Sequence, residues 1–299
     1  MLTLLKLLKD GRFHSGEALG AALGISRSAV WKQLQHLEAD LGLTIHKVRG
    51  RGYQLAAPLT LLDSDAITQH SPACNWPILI FDSIDSTNAE ALRTVERGVA
   101  APFLVLAERQ TSGRGRRGRR WASPFAENIY YSLVLRIDGG MRQLEGLSLV
   151  VGLAVMQTLR GLGVSGAGLK WPNDVLVGRK KIAGILLELV GDPADVCHVV
   201  LGVGVNVNMQ VTDEVDQQWT SVQLETGSPV DRNSLVARLC LQLKSYLELH
   251  RASGFASLKD EWERGHAWQG RAVSLIAGVN HVDGVVLGVD GQGAGRAVV

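Results

Sequence analysis

"TSGRGRRGRRW", residues 111–121, sets three glycines and five arginines into positions 113–120, and its reading decides the fold. The letters Gly113-Arg114-Gly115-Arg116-Arg117-Gly118 match the G-x-G-x-x-G dinucleotide fingerprint, and the apolar "VLAE" before them reads as a strand. That fingerprint also needs a helix beginning at its last glycine, so that the helix dipole meets a pyrophosphate. Here "RRWASPFAEN" contains Pro124 and runs into the apolar "NIYYSLVLRI". Asp138 stands twenty residues beyond Gly118, where an acidic ribose ligand would be sought, but without the helix that spacing carries little. A doubly wound nicotinamide or flavin fold is set aside. An arginine- and glycine-rich nucleic-acid tail is set aside too, because such tails lie outside folded domains, whereas this run stands between apolar strands and beside Trp121. What remains is an anion clamp: arginine offers paired donors to phosphate or carboxylate, and glycine lets backbone approach. Five like charges are expected to hold such a loop open until an anion neutralises them.

Outward from the loop, "WPILIFDSI", "PFLVLAE", "NIYYSLVLRI", "KKIAGILLEL" and "HVVLGVGVNVN" read as strands. "NAEALRTVERG" reads as a helix, "LEGLSLVVGLAVMQTLRGLG" as a buried helix, and "SLVARLCLQLKSYLELHRA" as a long amphipathic one. Only one strand-helix-strand alternation is clear, which favours a mixed or antiparallel sheet covered by helices over a doubly wound one. After Gly270, "RAVSLIAG", "VDGVVLGVD" and "RAVV" form a small β unit. At about 30 residues it is below the roughly 40 needed to fold alone and should dock on its neighbour.

The first 60 residues differ in kind. They hold eight Lys/Arg against four Asp/Glu, whereas residues 61–299 hold 23 against 25. "LTLLKLLKDG" and "HSGEALGAALG" read as short helices, the second capped by Ser15. In "ISRSAVWKQLQHLEADLG", Val30, Leu34 and Leu37 share one face, leaving Arg27, Ser28, Lys32 and Gln35 for the other. The turn Leu23-Gly24-Ile25 between these helices gives a helix-turn-helix, whose second helix fits a DNA major groove. "LTIHKVRGRGYQL" then folds as a hairpin with a basic tip, placing Lys47, Arg49 and Arg51 within reach of phosphates: a winged helix. The competing account is a helical cap with a solvated hairpin. "APLTLLDSDAI" reads as a linker.

The 299 residues, 46% hydrophobic, suffice for two or three small cores. No apolar run reaches the roughly 18–20 residues of a membrane span, and "MLTLLKLLKDGR" is too soon charged for a signal peptide, so no membrane is involved and a cytoplasmic protein is expected. Cys74, Cys197 and Cys240 are odd in number and widely spaced, as reduced core residues would be.

Four further stretches bear on the anion. Ser86-Thr87-Asn88 stands at a strand-to-helix junction and alone would be a helix cap. "KWPND", residues 170–174, puts Asp174 seven residues before Lys181, alone a salt bridge. "GVGVNVN", residues 202–208, alternates glycines along a strand, predicting close approach by a ligand or another backbone. Trp219, in the polar "DEVDQQWTS", has no evident core to join and could cover a planar ring.

With "DSTN", "GRGRRGRRW", "KWPND" and "RKKIAGIL" in that order, the chain resembles the family of bifunctional biotin-[acetyl-CoA-carboxylase] ligases and biotin operon repressors, the BirA family. The resemblance implies an α+β multidomain fold. Residues 1–60 would form the winged helix-turn-helix, 61–268 a catalytic domain related to class II aminoacyl-tRNA synthetases, and 269–299 a small SH3-like β domain. The chain stops after "GVDGQGAGRAVV" where relatives continue, so this last domain is expected to be short or altered. Ser86, Thr87, Asn88, Gln110, Arg114, Gly115, Arg116 and Lys181 would bind biotin, and Asn206 and Trp219 the nucleotide. Lys181, Arg116, Arg119 and Asp174 would be catalytic, with Asp174 a candidate Mg²⁺ ligand or base. Arg27, Ser28, Lys32, Gln35, Arg49 and Arg51 would face operator DNA.

The implied reaction joins biotin to ATP as biotinyl-5′-AMP and passes biotin to a lysine of a biotin carboxyl carrier protein. The adenylate would double as corepressor, favouring a homodimer on DNA. The alternative is a biotin-sensing transcription factor without ligase activity.

Overall fold

The computed structural model describes residues 2–56, 58–73, 75–138, 140–192, 195–277 and 280–298. The chain divides into two compact units: Met1–Leu62 with Pro124–Ala126, and Asp63–Ser123 with Glu127–Val299.

The first unit is three helices and a hairpin: α1 (Leu2–Leu8), α2 (Gly16–Leu23), α3 (Arg27–Leu41), β1 (Ile45–Val48) and β2 (Gly52–Leu55). Ser15 caps α2 by accepting from the Ala18 amide at 3.0 Å, and Ser26 caps α3 from Ala29 at 3.2 Å. Gly24 ends α2 at φ 66°, a left-handed conformation natural to glycine, and so makes the turn of the helix-turn-helix. Val30, Leu34 and Leu37 are wholly buried against Leu4, Leu5, Leu8 and Leu19, as their spacing predicts. Each such leucine contributes about 1.5–3 kcal/mol by leaving water. Phe125 and Ala126 belong to this same core, which the sequence did not foretell because they lie more than 60 residues further along the chain.

The second unit opens with α4 (Ser64–His70), where the sequence read as a linker. Asp63 accepts from the Ala66 amide at 2.9 Å, and this cap starts a helix too short to show an apolar period. There follow β3 (Ile78–Phe81), α5 (Thr87–Glu96), β4 (Phe103–Ala107), β5 (Ile129–Ile137), α6 (Leu147–Arg160), β6 (Ala167–Lys170), β7 (Asp174–Val177), β8 (Lys180–Gly191) and β9 (Cys197–Val205). Then come α7 (Val222–Thr226), α8 (Arg232–Ser253), α9 (Lys259–Gly265), β10 (Ala272–Ala277), β11 (Asn280–Val289) and β12 (Gly295–Val298).

Seven strands form one sheet in the order β3-β4-β5-β9-β8-β7-β6. Only β3 and β4 run parallel, so the sheet is mixed and mainly antiparallel, as the single clear crossover predicts. The four-residue strands β6 and β7 and the helices α7 and α9 were not foreseen; each is too short to show a period. Helix α6 is buried on most sides, in keeping with its lack of charges. Strands β10, β11 and β12 make a separate antiparallel sheet. It docks on its neighbours through Glu263, which accepts from the Val289 amide at 3.0 Å, and Trp171, whose Nε1 donates to the Gly293 carbonyl at 3.1 Å. Cys197 and Cys240 are buried and form no disulfide, and Cys74 lies outside the described residues. No helix among the described residues is long and apolar enough to cross a membrane.

Candidate active site

The site begins at the β3–α5 junction. Ser86 is indeed the cap of α5, accepting from the Ala89 amide at 3.5 Å. The next residues look elsewhere. The Thr87 backbone N–H and hydroxyl both donate to Gln110 Oε1, at 2.9 and 3.1 Å, and Gln110 Nε2 donates to Ser123 Oγ at 3.1 Å. Asn88 Nδ2 donates to Glu188 at 2.7 Å while its Oδ1 accepts from Ser132 Oγ at 2.6 Å, which fixes which way the amide points. Asp85 steadies this turn from behind. It accepts from the Ser86 amide at 2.8 Å and pairs with Arg93 at 2.7 Å, and the Arg93 hydrogen bonds hold its carboxyl down at about 2.

The arginine run is folded rather than open. Gly115 N–H donates to the Arg119 carbonyl at 2.7 Å and Trp121 N–H to the Gly113 carbonyl at 2.9 Å, closing a loop around a short 3₁₀ turn at Arg116–Gly118. Three of the five arginines have separate side-chain partners, which lessens the expected repulsion. Arg114 lies 3.4 Å from Glu188, Arg120 lies 3.5 Å from Glu214, and Arg116 Nη1 donates to Asn173 at 3.2 Å. Gly113 is required for lack of space: a Cβ there would stand 2.6 Å from the Trp121 carbonyl oxygen and 2.7 Å from Ser123 Oγ.

On the sheet, Lys181 and Asp174 meet across β7 and β8 at 2.7 Å, and Lys181 Nζ lies 5.4 Å from the centre of the Trp121 ring. The alternating glycines line the cleft, as close approach by a ligand requires, and two side chains crowd them as well. Gly202 makes room for the Asn88 amide and Gly204 for the Trp121 indole. That indole Nε1 is buried without a hydrogen-bond partner, a donor left unsatisfied at the wall of the cleft.

These groups surround one cleft, part of it open to solvent. All eight residues expected to bind biotin line it: Ser86, Thr87, Asn88, Gln110, Arg114, Gly115, Arg116 and Lys181. The other four expected residues are not in its wall. Asp174 borders a small recess next to it. Asn206 is buried behind Lys181, donating to the Thr220 carbonyl at 3.0 Å and towards the Lys181 carbonyl at 3.4 Å. Trp219 is half-buried in a segment that pairs with Lys181, whose amide donates to the Gln218 carbonyl at 2.9 Å. Arg119 is exposed and gives its carbonyl to the loop turn. Sequence reasoning missed Trp121, Asn173, Ser132 and Glu188. Trp121 follows the run directly and Asn173 sits within "KWPND", but only a lone carboxylate in the apolar "LLELV" hinted at Glu188. Among the described residues no cluster of three His, Cys, Asp or Glu could hold a metal ion.

In the first unit, Arg27, Ser28, Lys32, Gln35, Arg49 and Arg51 are all exposed. Trp31, 44% exposed, joins Ser28, Lys32 and Gln35 at i, i+3, i+4 and i+7 spacing on α3. In the hairpin, the Arg51 guanidinium lies 4.1 Å over the Phe13 ring, and Lys47 is paired with Glu38 at 2.5 Å.

Comparison with known proteins agrees with both units. Residues 80–206 match the Biotin/lipoate A/B protein ligase family and residues 1–54 an HTH domain. The chain is 41% identical to the bifunctional ligase/repressor BirA of Salmonella typhimurium, over 98% of this chain and 91% of that one. It is 40% identical to its namesake in Escherichia coli, over 98% and 90%. Among solved structures, the biotin protein ligase of Aquifex aeolicus in complex with biotin and ATP superposes with a TM-score of 0.66 at 29% identity, covering 75% of this chain and 92% of that one. The chain therefore belongs to the biotin/lipoate A/B protein ligase family, in its branch of bifunctional ligase/repressors.

Proposed function

We propose that this chain activates biotin with ATP in the cleft between the β3–α5 turn and the arginine loop, then transfers it to a lysine of a biotin carboxyl carrier protein. The observation that carries this is the convergence of the Thr87–Gln110 pair, the Asn88 amide and Lys181 on one cleft beneath the loop.

In the first step a biotin carboxylate oxygen attacks the α-phosphorus of ATP and pyrophosphate leaves. Charge grows on the phosphoryl oxygens, where Lys181, Arg116 and Arg119 would lie; a preorganised donor of this kind is typically worth roughly 10²- to 10³-fold in rate. Asn206 and Trp219, on the segments that flank Lys181, would hold the nucleotide. Asp174 is the carboxylate that would share a Mg²⁺ ion. One carboxylate beside an asparagine suits an ion carried mainly by phosphates and water, and its chemistry would be charge neutralisation. In the second step the carrier amine, once deprotonated, attacks the acyl carbon and AMP leaves. Asp174 is a candidate base, and the folded loop would shield the anhydride from water.

The chain would also bind operator DNA through α3 and the hairpin, with Arg27, Ser28, Lys32, Gln35, Arg49 and Arg51 at the surface. A single basic winged helix makes few phosphate contacts, and a homodimer doubles them. An open sheet edge supports the dimer: beyond Ile185, strand β8 pairs only with β9 among the described residues, and Leu189 there is 47% exposed. We keep the divisions at residues 60 and 268 and a cytoplasmic location as part of this reading. The intact Lys181–Asp174 pair favours a ligase over a sensor without activity.

The test is incubation with biotin, ATP, Mg²⁺ and apo carrier domain, read by streptavidin blot. Label on the carrier lysine is expected, and its absence alongside operator binding would leave only the sensor.

A further inference from the structure

Arg232 opens helix α8 outside the cleft wall, yet it carries the most enclosed charge-pair geometry described in the second unit. Its Nη2 lies 2.6 Å from Glu108 Oε2, and both side chains are only 2% exposed. A second arm, Nη1, donates to the Asn128 carbonyl at 3.2 Å. Glu108 stands two residues before Gln110 at the entry to the arginine loop, and Asn128 stands at its exit, one residue before β5.

The exit stem is tied onward. Asn128 Oδ1 accepts from the Val207 amide at 2.9 Å, and the Glu127 carbonyl accepts from the Asn208 amide at 2.8 Å, so the segment immediately after Asn206 is fixed to the same node. A buried ion pair is a poor device for stability alone, because apolar groups of similar volume often replace it without loss. Its distinguishing property is direction: a planar guanidinium fixes two acceptors at set angles, which a lysine cannot.

We propose that Arg232, with Glu108, is a positioning residue of the adenylation site: its forked guanidinium fastens both stems of the arginine loop to the strand end that bears Asn206. It touches neither substrate. It holds Gln110 and the loop at the spacing needed to keep the adenylate enclosed, and it rests on the ligase reading above.

Two variants test this. Glu108→Gln/Arg232→Met removes both charges at similar volume, and Arg232→Lys keeps the charge but loses the fork. Preformed enzyme-bound adenylate is chased with unlabelled ligand, and the rate of adenylate formation and the biotin KM are measured beside it, with folding checked by circular dichroism and Tm. Hydrogen bonds to a charged group are each worth enough to shift an equilibrium by roughly 10- to 100-fold. Adenylate release is accordingly expected to quicken about 10- to 100-fold in both variants, with a similar rise in biotin KM and little change in kcat for adenylate formation. Release and KM within about twofold of the parent chain in either folded variant would overturn the proposal. Failure of both to fold would overturn it too, making the pair a stability element. A parent chain that forms no adenylate would instead remove the ligase reading and this inference with it.

Discussion

Lys181 stands where several demands meet: it pairs with Asp174 at 2.7 Å, borders the cleft and lies against Trp121. Lys181→Ala is expected to lower biotin-dependent pyrophosphate exchange by about 10²- to 10³-fold, while near-normal exchange would remove the residue from the mechanism. Asp85 makes a pH-dependent contribution. Its carboxyl, held at about 2 instead of 3.8, favours the folded chain fully above the ordinary value, and that advantage fades as pH falls from about 4 towards 2. Because the side chain is 46% exposed, screening leaves roughly 1 kcal/mol. Asp85→Asn should flatten the dependence of the urea midpoint on pH across that window and weaken biotin binding, since the same carboxylate accepts from Ser86. An unchanged pH slope would mean the pair with Arg93 contributes nothing.

At the scale of the element, helix α3 separates stability from recognition by face. Leu34 is wholly buried, and Leu34→Ala should cost about 2–5 kcal/mol in unfolding of the winged helix. Trp31 faces outward with Ser28, Lys32 and Gln35, so Trp31→Ala should leave Tm nearly unchanged and reduce operator affinity. Lys32→Ala should lower the slope of log affinity against log salt by about 1. Equal losses of Tm from Trp31→Ala and Leu34→Ala would refute this division. The sequence showed both faces because a 15-residue helix displays its period in full. The hairpin was legible from its turn residues, but the pairing of Lys47 with Glu38 and the stacking of Arg51 on Phe13 were not, since both depend on how the hairpin packs.

For the whole molecule, ligand state and DNA binding should be coupled. Biotin plus ATP is expected to shift the chain towards dimer in sedimentation and to raise operator affinity. Leu189→Arg, at the open edge of β8, should keep adenylation and lose both effects. A dimer that persists in that variant would move the interface elsewhere. The chain also crosses between its two units after the arginine loop, where Phe125 and Ala126 join the core of the first.

The sequence by itself determined the winged helix and the mixed sheet, because each announces itself locally as a helical period, a strand run or a cap, while eight of the residues that line the cleft followed from the family resemblance that the arginine loop and its companion motifs carry. Only the tertiary structure decided that Glu188 orients Asn88, that Gly202 and Gly204 admit Asn88 and Trp121, and that Arg232 grips both stems of the loop. Those partners lie from 83 to 124 residues apart, as with Gly204 and Trp121 or Arg232 and Glu108, and no local pattern encodes a contact that exists only once strands have paired and the core has closed.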